Sequence, residues 1–348
     1  MHQHEIYMQR CLKLAKLGGG YAAPNPMVGS VLVFENRIIG EGYHQVYGQA
    51  HAEVNCINSV NDEDKHLIGK SVIYVSLEPC AHFGKTPPCA DLIIEHKIKK
   101  AVIGCRDPFD QVDGKGIEKL QNAGIEVVTG VLENECKELN KRFFTFHTKH
   151  RPYIILKWAQ SKNHKIANAD FSRVLISNAF SNRLVHRWRS EEAGIMVGTN
   201  TALQDDPELN TRNWTGPDPA RLIVDMNLRL PSNLKIFDRQ QKTIIFNSGK
   251  NEDDGQLIYY KVNSENLVNE LLQACCDLKI QSVLIEGGNK LAETFINAHA
   301  WDEARVIENS ELIIDNGLRA PLLSNHQLIS SENILSDVVS YYKNTFQC

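Results

Sequence analysis

The sequence has no excess of basic residues: 38 Lys and Arg stand against 42 Asp and Glu, for a formal charge of -4. Sequence-independent binding of nucleic acid needs lysine and arginine clustered over phosphates, so a polynucleotide is not an expected partner. No apolar run approaches the ~20 residues that cross a bilayer, and Met1-His2-Gln3-His4-Glu5 lacks the apolar core of a signal peptide. A cytoplasmic protein with no membrane partner is expected. The nine cysteines are odd in number and lack the spacing of a disulfide framework, which suits a reducing compartment. No G-x-G-x-x-G opens a helix after a strand, so a Rossmann domain is not supported, and there is neither an internal repeat nor a low-complexity segment.

What is present is length enough for two cores: 348 residues exceed the usual single domain and point to two domains of roughly 150 to 200 residues. Tyr7, Cys11, Leu14 and Ala15 fall at helical spacing, and Gly18-Gly19-Gly20 ends that helix. Residues 27–34 and 37–45 read as a hairpin around Glu35-Asn36, followed by a helix over 50–60 and a buried strand over 71–77. Then come a helix over 90–96 begun by Cys89, a strand over 101–104, a helix over 116–122, a strand over 125–129 and one long helix over 131–148. Such alternation implies a sheet between helices. Arg151-Pro152 ends the helical run, which divides the chain into domains 1–147 and 148–348. In the second, strands are expected over 153–159, 194–197, 220–225, 243–246 and 282–285, with helices over 179–189, 267–276 and 291–297 and a polar turn over 251–255.

The chemistry concentrates at His51-Ala52-Glu53, read together with Pro79-Cys80 and Cys89. A neutral imidazole and two thiolates give Zn2+ three N/S ligands, cancel its charge and leave one tetrahedral position open, which is the mark of a catalytic site. Glu53, two residues past the histidine, can reach a water in the open position and shuttle protons, the division of labour found in nucleobase deaminases. Each feature alone is common by chance, and a lone cysteine is more often a buried small hydrophobe. Together they specify a metal site. The usual second half is Pro-Cys-x-x-Cys, whereas here Ala81 to Pro88 separates the cysteines, and Lys85 in that loop offers a cation to a phosphorylated substrate. In the second half, Glu286-Gly287-Gly288 between a strand and a helix lets the backbone approach a phosphate, although a plain turn has the same pattern.

Pro24-Asn25-Pro26-x-Val28-Gly29, His51-Ala52-Glu53, Leu77-Glu78-Pro79-Cys80, Thr86-Pro87-Pro88-Cys89 and Asp107-Pro108 together resemble the bifunctional riboflavin-biosynthesis deaminase-reductase family. Val197-Gly198-x-x-Thr201, Asp205-Asp206-Pro207 and Glu286-Gly287-Gly288 extend the resemblance to the reductase half. It implies an α/β protein, with an N-terminal cytidine-deaminase-like three-layer α/β/α domain and a C-terminal dihydrofolate-reductase-like α/β domain. The implied chemistry is zinc-dependent hydrolytic deamination of a phosphorylated ribosylamino-pyrimidinone, then NADPH reduction of its ribosyl group to ribityl. By position, His51, Cys80 and Cys89 match the zinc ligands and Glu53 the proton shuttle, while Asn25, His44 and Lys85 match substrate contacts. In the reductase half, Lys157 and Glu286 match positions beside the reacting sugar, and Arg189, Leu209 and Arg212 match further substrate positions. Ala159, Leu175, Ser177, Thr201, Asp205, Gly287 and Gly288 match cofactor positions. A homo-oligomer formed through the C-terminal domain is also implied. The chain departs from the family pattern at Phe109, where an amide is usual, at Asn163-His164, where Asp-Gly is usual, and at Leu175, where tryptophan is usual. The alternatives are a zinc deaminase whose C-terminal domain only dimerises, which NADPH binding would separate, and a zinc-stabilised binding protein, for which an open site beside a carboxylate is wasteful.

Overall fold

The computed structural model describes residues 3–83, 87–170 and 172–346. It divides into two compact units, Met1–His150 and Arg151–Cys348.

The first unit is built from α1 (Gln3–Ala15), β1 (Gly29–Phe34), β2 (Arg37–Tyr43), α2 (Ala52–Asn58), β3 (Val72–Leu77), α3 (Cys89–Glu95), β4 (Lys100–Cys105), α4 (Lys115–Asn122), β5 (Glu126–Thr129), α5 (Glu133–Leu139) and α6 (Lys141–Lys149). Its sheet runs β2-β1-β3-β4-β5, antiparallel through the first three strands and parallel through the last three. The expected hairpin turns at Glu35 and Asn36, both at positive φ, 44° and 68°, as a two-residue turn with the twist of its strands requires. Side chains alternate across the sheet. Leu32, Ile73, Ala101 and Ile103 meet Ile57, Ile93 and Leu120 on the side of α2, α3 and α4. Val31, Val33, Tyr74 and Val102 meet Met8, Cys11 and Cys136 on the side of α1 and α5. This is the three-layer α/β/α arrangement.

The long helix expected over 131–148 is instead two, broken at Asn140. The Asn140 side chain is buried and bonds the Met27 backbone in both directions, accepting from N at 2.8 Å and donating to O at 2.9 Å. A short amide competing for backbone partners ends a helix, and nothing in the local periodicity announces that. α6 carries the unit past residue 147 to His150, whose φ of 51° terminates it.

The second unit contains β6 (Tyr153–Ser161), β7 (Lys165–Asn168), α7 (Ala179–Glu191), β8 (Gly194–Gly198), α8 (Thr199–Asp205), β9 (Ala220–Val224), β10 (Thr243–Asn247), β11 (Glu252–Asp253), β12 (Leu257–Lys261), α9 (Leu267–Asp277), β13 (Ser282–Glu286), α10 (Asn289–Asn297), β14 (Glu303–Asn309), β15 (Gly317–Arg319), β16 (His326–Ile334) and β17 (Asp337–Asn344). The main sheet runs β11-β12-β10-β9-β8-β13-β6-β14-β17-β16, parallel from β12 to β14. Its central strands, buried on both faces, read as continuous apolar runs. α9 and α10 cover one face through Leu271, Cys275 and Phe295, and α7 covers the other through Val185 and Trp188. The polar turn expected over 251–255 contains the short strand β11. No described helix is long and apolar enough to cross a membrane.

Candidate active sites

In the first unit, His51 is the N-cap residue of α2 and Cys89 the first residue of α3, so two of the donors stand where a helix begins. Cys80 follows β3 by way of Glu78 and Pro79. His51 Nδ1 lies 3.6 Å from Cys80 Sγ and 3.3 Å from Cys89 Sγ, and all three donor atoms lie within 4.8 Å of one another. Tetrahedral zinc with Zn–N of about 2.1 Å and Zn–S of about 2.3 Å sets nitrogen and sulfur about 3.6 Å apart, so this donor set fits the ion as it stands. The Cys89 thiol, and then His51, hold Cys80 in its thiolate form and draw its pKa down to about 4. Cys80 Sγ also accepts the Cys89 backbone N–H at 3.3 Å.

Glu53 is 3 % exposed in the first turn of α2. Burial, and then the Cys80 sulfur, push its pKa upward, which suits a group that must both take and return a proton. His44 Nδ1 donates to Ala50 O at 3.0 Å, which leaves Nε2 to accept from Asn25 Nδ2 at 3.1 Å. Burial lowers the pKa of His44 and keeps it neutral, and its ring lies 5.3 Å from that of His51. The fold thus brings together His51, Cys80, Cys89, Glu53, His44 and Asn25. Lys85 lies outside the described residues.

In the second unit, Lys157 of β6 and Glu286 of β13 are register partners on adjacent parallel strands. Their charged ends lie 3.5 Å apart, and Arg189 of α7 clasps the same carboxylate with two bonds, at 2.7 and 2.8 Å. Burial alone would raise the Glu286 pKa, but Arg189 and Lys157 outweigh it and hold the group at about 2. Burial, more than Arg189, lowers the pKa of Lys157 against the pull of Glu286. The triad therefore pairs a permanently ionised carboxylate with an ammonium that parts with its proton more readily than usual. Arg189 and His186 both donate to the Asn210 carbonyl at 3.0 Å, which fixes the loop holding Leu209 (φ 53°) and Arg212. A cavity of about 800 Å³ is lined by Arg183, Arg212, Phe180 and Trp214.

β8 and β13 are neighbours, and each runs directly into a helix, α8 and α10. Between β13 and α10, Gly287 and Gly288 adopt φ of 83° and 81°, which L side chains rarely reach. A Cβ there would press on the Thr201 side chain at 3.1 and 3.2 Å. Bare backbone beside helix N-termini at the carboxyl ends of parallel strands is the setting in which cofactor phosphates are held. Ala159 lies two residues beyond Lys157 on β6, and Ser177 directly precedes Asn178, which caps α7 through bonds to the N–H groups of Phe180 and Ser181. Asp205 ends α8, and Leu175 is 77 % exposed. His164, where the family pattern has glycine, adopts φ of 57°. That turn does require the left-handed region, at a cost of about 1 to 2 kcal/mol for a residue with a Cβ, and Gln160 Nε2 meets the His164 ring at 2.9 Å.

Sequence reading assigned no role to Glu78, His186 or Asn210. For Glu78 a signal existed: a carboxylate ends an otherwise apolar strand and stands directly before Pro79-Cys80.

The family described as the cytidine and deoxycytidylate deaminase zinc-binding region matches residues 1–105, and the RibD C-terminal domain matches residues 152–313. The riboflavin biosynthesis protein RibD of Aquifex aeolicus is 37% identical over 355 residues, covering 97% of this chain and 97% of its own. That of Bacillus amyloliquefaciens is 35% identical, covering 95% of this chain and 90% of its own. Among solved structures, a diaminohydroxyphosphoribosylaminopyrimidine deaminase/5-amino-6-(5-phosphoribosylamino)uracil reductase from Thermotoga maritima superposes with a TM-score of 0.89 at 36% identity, covering 99% of both chains. RibD of Acinetobacter baumannii does so with a TM-score of 0.90 at 31% identity, covering 98% of both.

Proposed function

The chain belongs to the RibD family of bifunctional riboflavin-biosynthesis deaminase-reductases, and from that premise we propose how its own residues divide the two reactions. It is an enzyme with a zinc-binding deaminase domain and an NADPH-dependent reductase domain. The observation that carries the division is that each unit holds a complete set of polar groups of its own: His51, Cys80, Cys89 and Glu53 in one, Lys157, Glu286 and Arg189 in the other.

For the deaminase, the substrate is a diaminopyrimidinone bearing a ribosylamino phosphate. His51 Nδ1, Cys80 and Cys89 would hold the zinc, which when bound would supply Lewis-acid activation of water. Glu53 takes the proton that water gives up and passes it to the departing amine, so that C–NH2 and H2O become C=O and NH3. Asn25 and neutral His44 hold the ring, the amide oriented by its bond to His44 Nε2. Cys80→Ser or Cys89→Ser is expected to lose both metal and deamination while reduction of supplied intermediate continues. Zinc content and the two assays on one preparation check this.

For the reductase, NADPH held at the Gly287 and Gly288 backbone would supply the hydride that the anomeric carbon of the ribosyl group takes up. The bond from that carbon to the ring oxygen breaks, and the oxygen takes a proton. Glu286, held ionised at about 2, has no proton to give at neutral pH, so Lys157 is the donor and Glu286 its positioning partner. The backbone at Gly287 and Gly288, with Thr201 behind it, holds cofactor phosphate. Ala159, Leu175, Ser177 and Asp205 line the remaining cofactor positions, and Arg189, Leu209 and Arg212 hold substrate, with the Arg183 and Arg212 cavity receiving its phosphorylated end. Purified protein given the diaminopyrimidinone, zinc and NADPH tests the whole reading. It should release ammonia and then oxidise NADPH, whereas ammonia release without NADPH binding would reduce the second unit to a dimerisation module.

We place the enzyme in the cytoplasm, in keeping with the eight described cysteines, all unbridged. Self-association through the second unit is supported by β16, the last strand of its sheet, where Leu328 and Ile329 are 52% and 58% exposed. An unpaired edge carrying apolar side chains is a ready template for a second chain. Light scattering is expected to give at least a dimer mass, and Ile329→Lys to shift it toward the monomer.

A further inference from the structure

Glu78 is 4 % exposed, and its carboxylate accepts four backbone N–H groups. Oε2 takes Asp107 at 3.2 Å and Gly114 at 3.1 Å, while Oε1 takes Gly116 at 2.9 Å and Ile117 at 3.1 Å. Gly116 and Ile117 lie in the first turn of α4, whose own N-cap residue, Gly114, has no side chain to offer and sits at φ of 85°. Glu78 is therefore the cap of a helix that begins 37 residues later, counted from 78 to 115. Its other oxygen closes the loop that leads into that helix. The same loop is pressed against the strand end from a second direction, since a Cβ on Gly116 would collide with the Pro79 carbonyl oxygen. Glu78 N also donates to Cys105 O at 3.0 Å.

Two things hang on this clamp. Cys80 follows Glu78 by two residues, so the seating of Glu78-Pro79 sets where its sulfur stands relative to His51 and Cys89. Asp107, held through its N–H, in turn accepts the Phe109 N–H at 2.8 Å. The Phe109 ring meets His82 at 6.2 Å and His147 at 5.0 Å, and His82 belongs to the loop leaving Cys80. A buried carboxylate with this many donors admits no isosteric replacement: a carboxamide would turn an NH2 toward two of them. We propose that Glu78 is a positioning residue for deamination, fixing the Cys80 sulfur and the Asp107–Phe109 wall in one rigid piece. This rests on the assignment of deamination to the first unit.

Glu78→Gln and Gly116→Ala loosen the clamp from opposite sides; retained zinc serves as the folding control for the first unit, and reductase activity as the control for the second. Each variant is assayed for deaminase kcat and KM, for zinc content, and for the absorption bands of protein loaded with Co2+ in place of zinc, which report the geometry around the ion. Both are expected to keep the metal and full reductase activity, to lose tenfold or more in deaminase kcat with a smaller change in KM, and to show shifted Co2+ bands. Wild-type kcat with unshifted bands in either variant overturns the proposal, even if thermal stability falls. So does turnover restored to the wild-type level by added zinc, since Glu78 would then serve only retention of the metal. If Glu78→Gln does not fold, Gly116→Ala decides by the same criteria. Failure of the underlying assignment is distinguishable, because the wild-type chain itself would then not deaminate.

Discussion

Glu53→Gln is expected to retain one zinc per chain and lose on the order of 10²- to 10⁴-fold in deaminase kcat, the range that a positioned proton shuttle contributes. The substitution preserves shape. Glu53 is buried among the donor atoms without being one of the three that fit zinc, so an amide of the same size removes proton transfer and leaves the ligands alone. Burial and the Cys80 sulfur already push the Glu53 pKa upward, and an amide that cannot ionise avoids that penalty. Unfolding should consequently be no easier in the variant than in the wild type. Reduction of supplied intermediate should be unaffected, because Lys157, Glu286 and Arg189 belong to the other unit. Zinc analysis, ammonia release and NADPH oxidation on one preparation check the three statements. Retained deamination would move the shuttle to another group.

The first site was legible because its residues lie close in sequence to the elements that seat them. His51 and Cys89 each open a helix, and both helices announce themselves through apolar periodicity. Asn25 and His44 could be matched by position, but their mutual bond depends on a turn of chain that no periodicity describes. Glu78 shows the limit most plainly. Its four donors come from residues 29 to 39 positions away along the chain, and sequence shows only a charge at the end of an apolar strand. The break at Asn140 has the same origin, since its partner Met27 is 113 residues distant.

In the second unit the central parallel strands were readable as apolar runs, whereas β16 and β17 were not. Every residue from His326 to Asn333 in β16 is exposed, so no buried face imposed an alternation on the sequence. β14 was also missed: Arg305 and Glu303, joined at 2.6 Å, interrupt the apolar pattern by which a buried strand is recognised. His164 illustrates the reverse case. Its departure from glycine was visible in the sequence, but only the backbone shows that the turn nonetheless uses φ of 57°.

Lys157→Met is expected to abolish NADPH oxidation while leaving both deamination and the thermal stability of the second unit close to wild type. The reason lies in how the triad shares its charges. Arg189 makes the two short bonds to Glu286, and Lys157 stands farther off at 3.5 Å. Removing the lysine therefore leaves a paired, hydrogen-bonded carboxylate, and methionine fills the volume of the lost stem. Burial already lowers the Lys157 pKa, so a neutral side chain at that position is no worse placed than the ammonium. Glu286→Gln is a different experiment. It strands Arg189 and Lys157 as neighbouring buried cations, and removing one member of a buried ion pair costs about 3 to 5 kcal/mol. That variant should lose activity and stability together. Comparing thermal unfolding with NADPH oxidation in the two variants separates the proton donor from the group that positions it. Appreciable NADPH oxidation by Lys157→Met would transfer the donor role elsewhere, whereas equal destabilisation of both variants would mean that the lysine, like the carboxylate, serves first to balance buried charge.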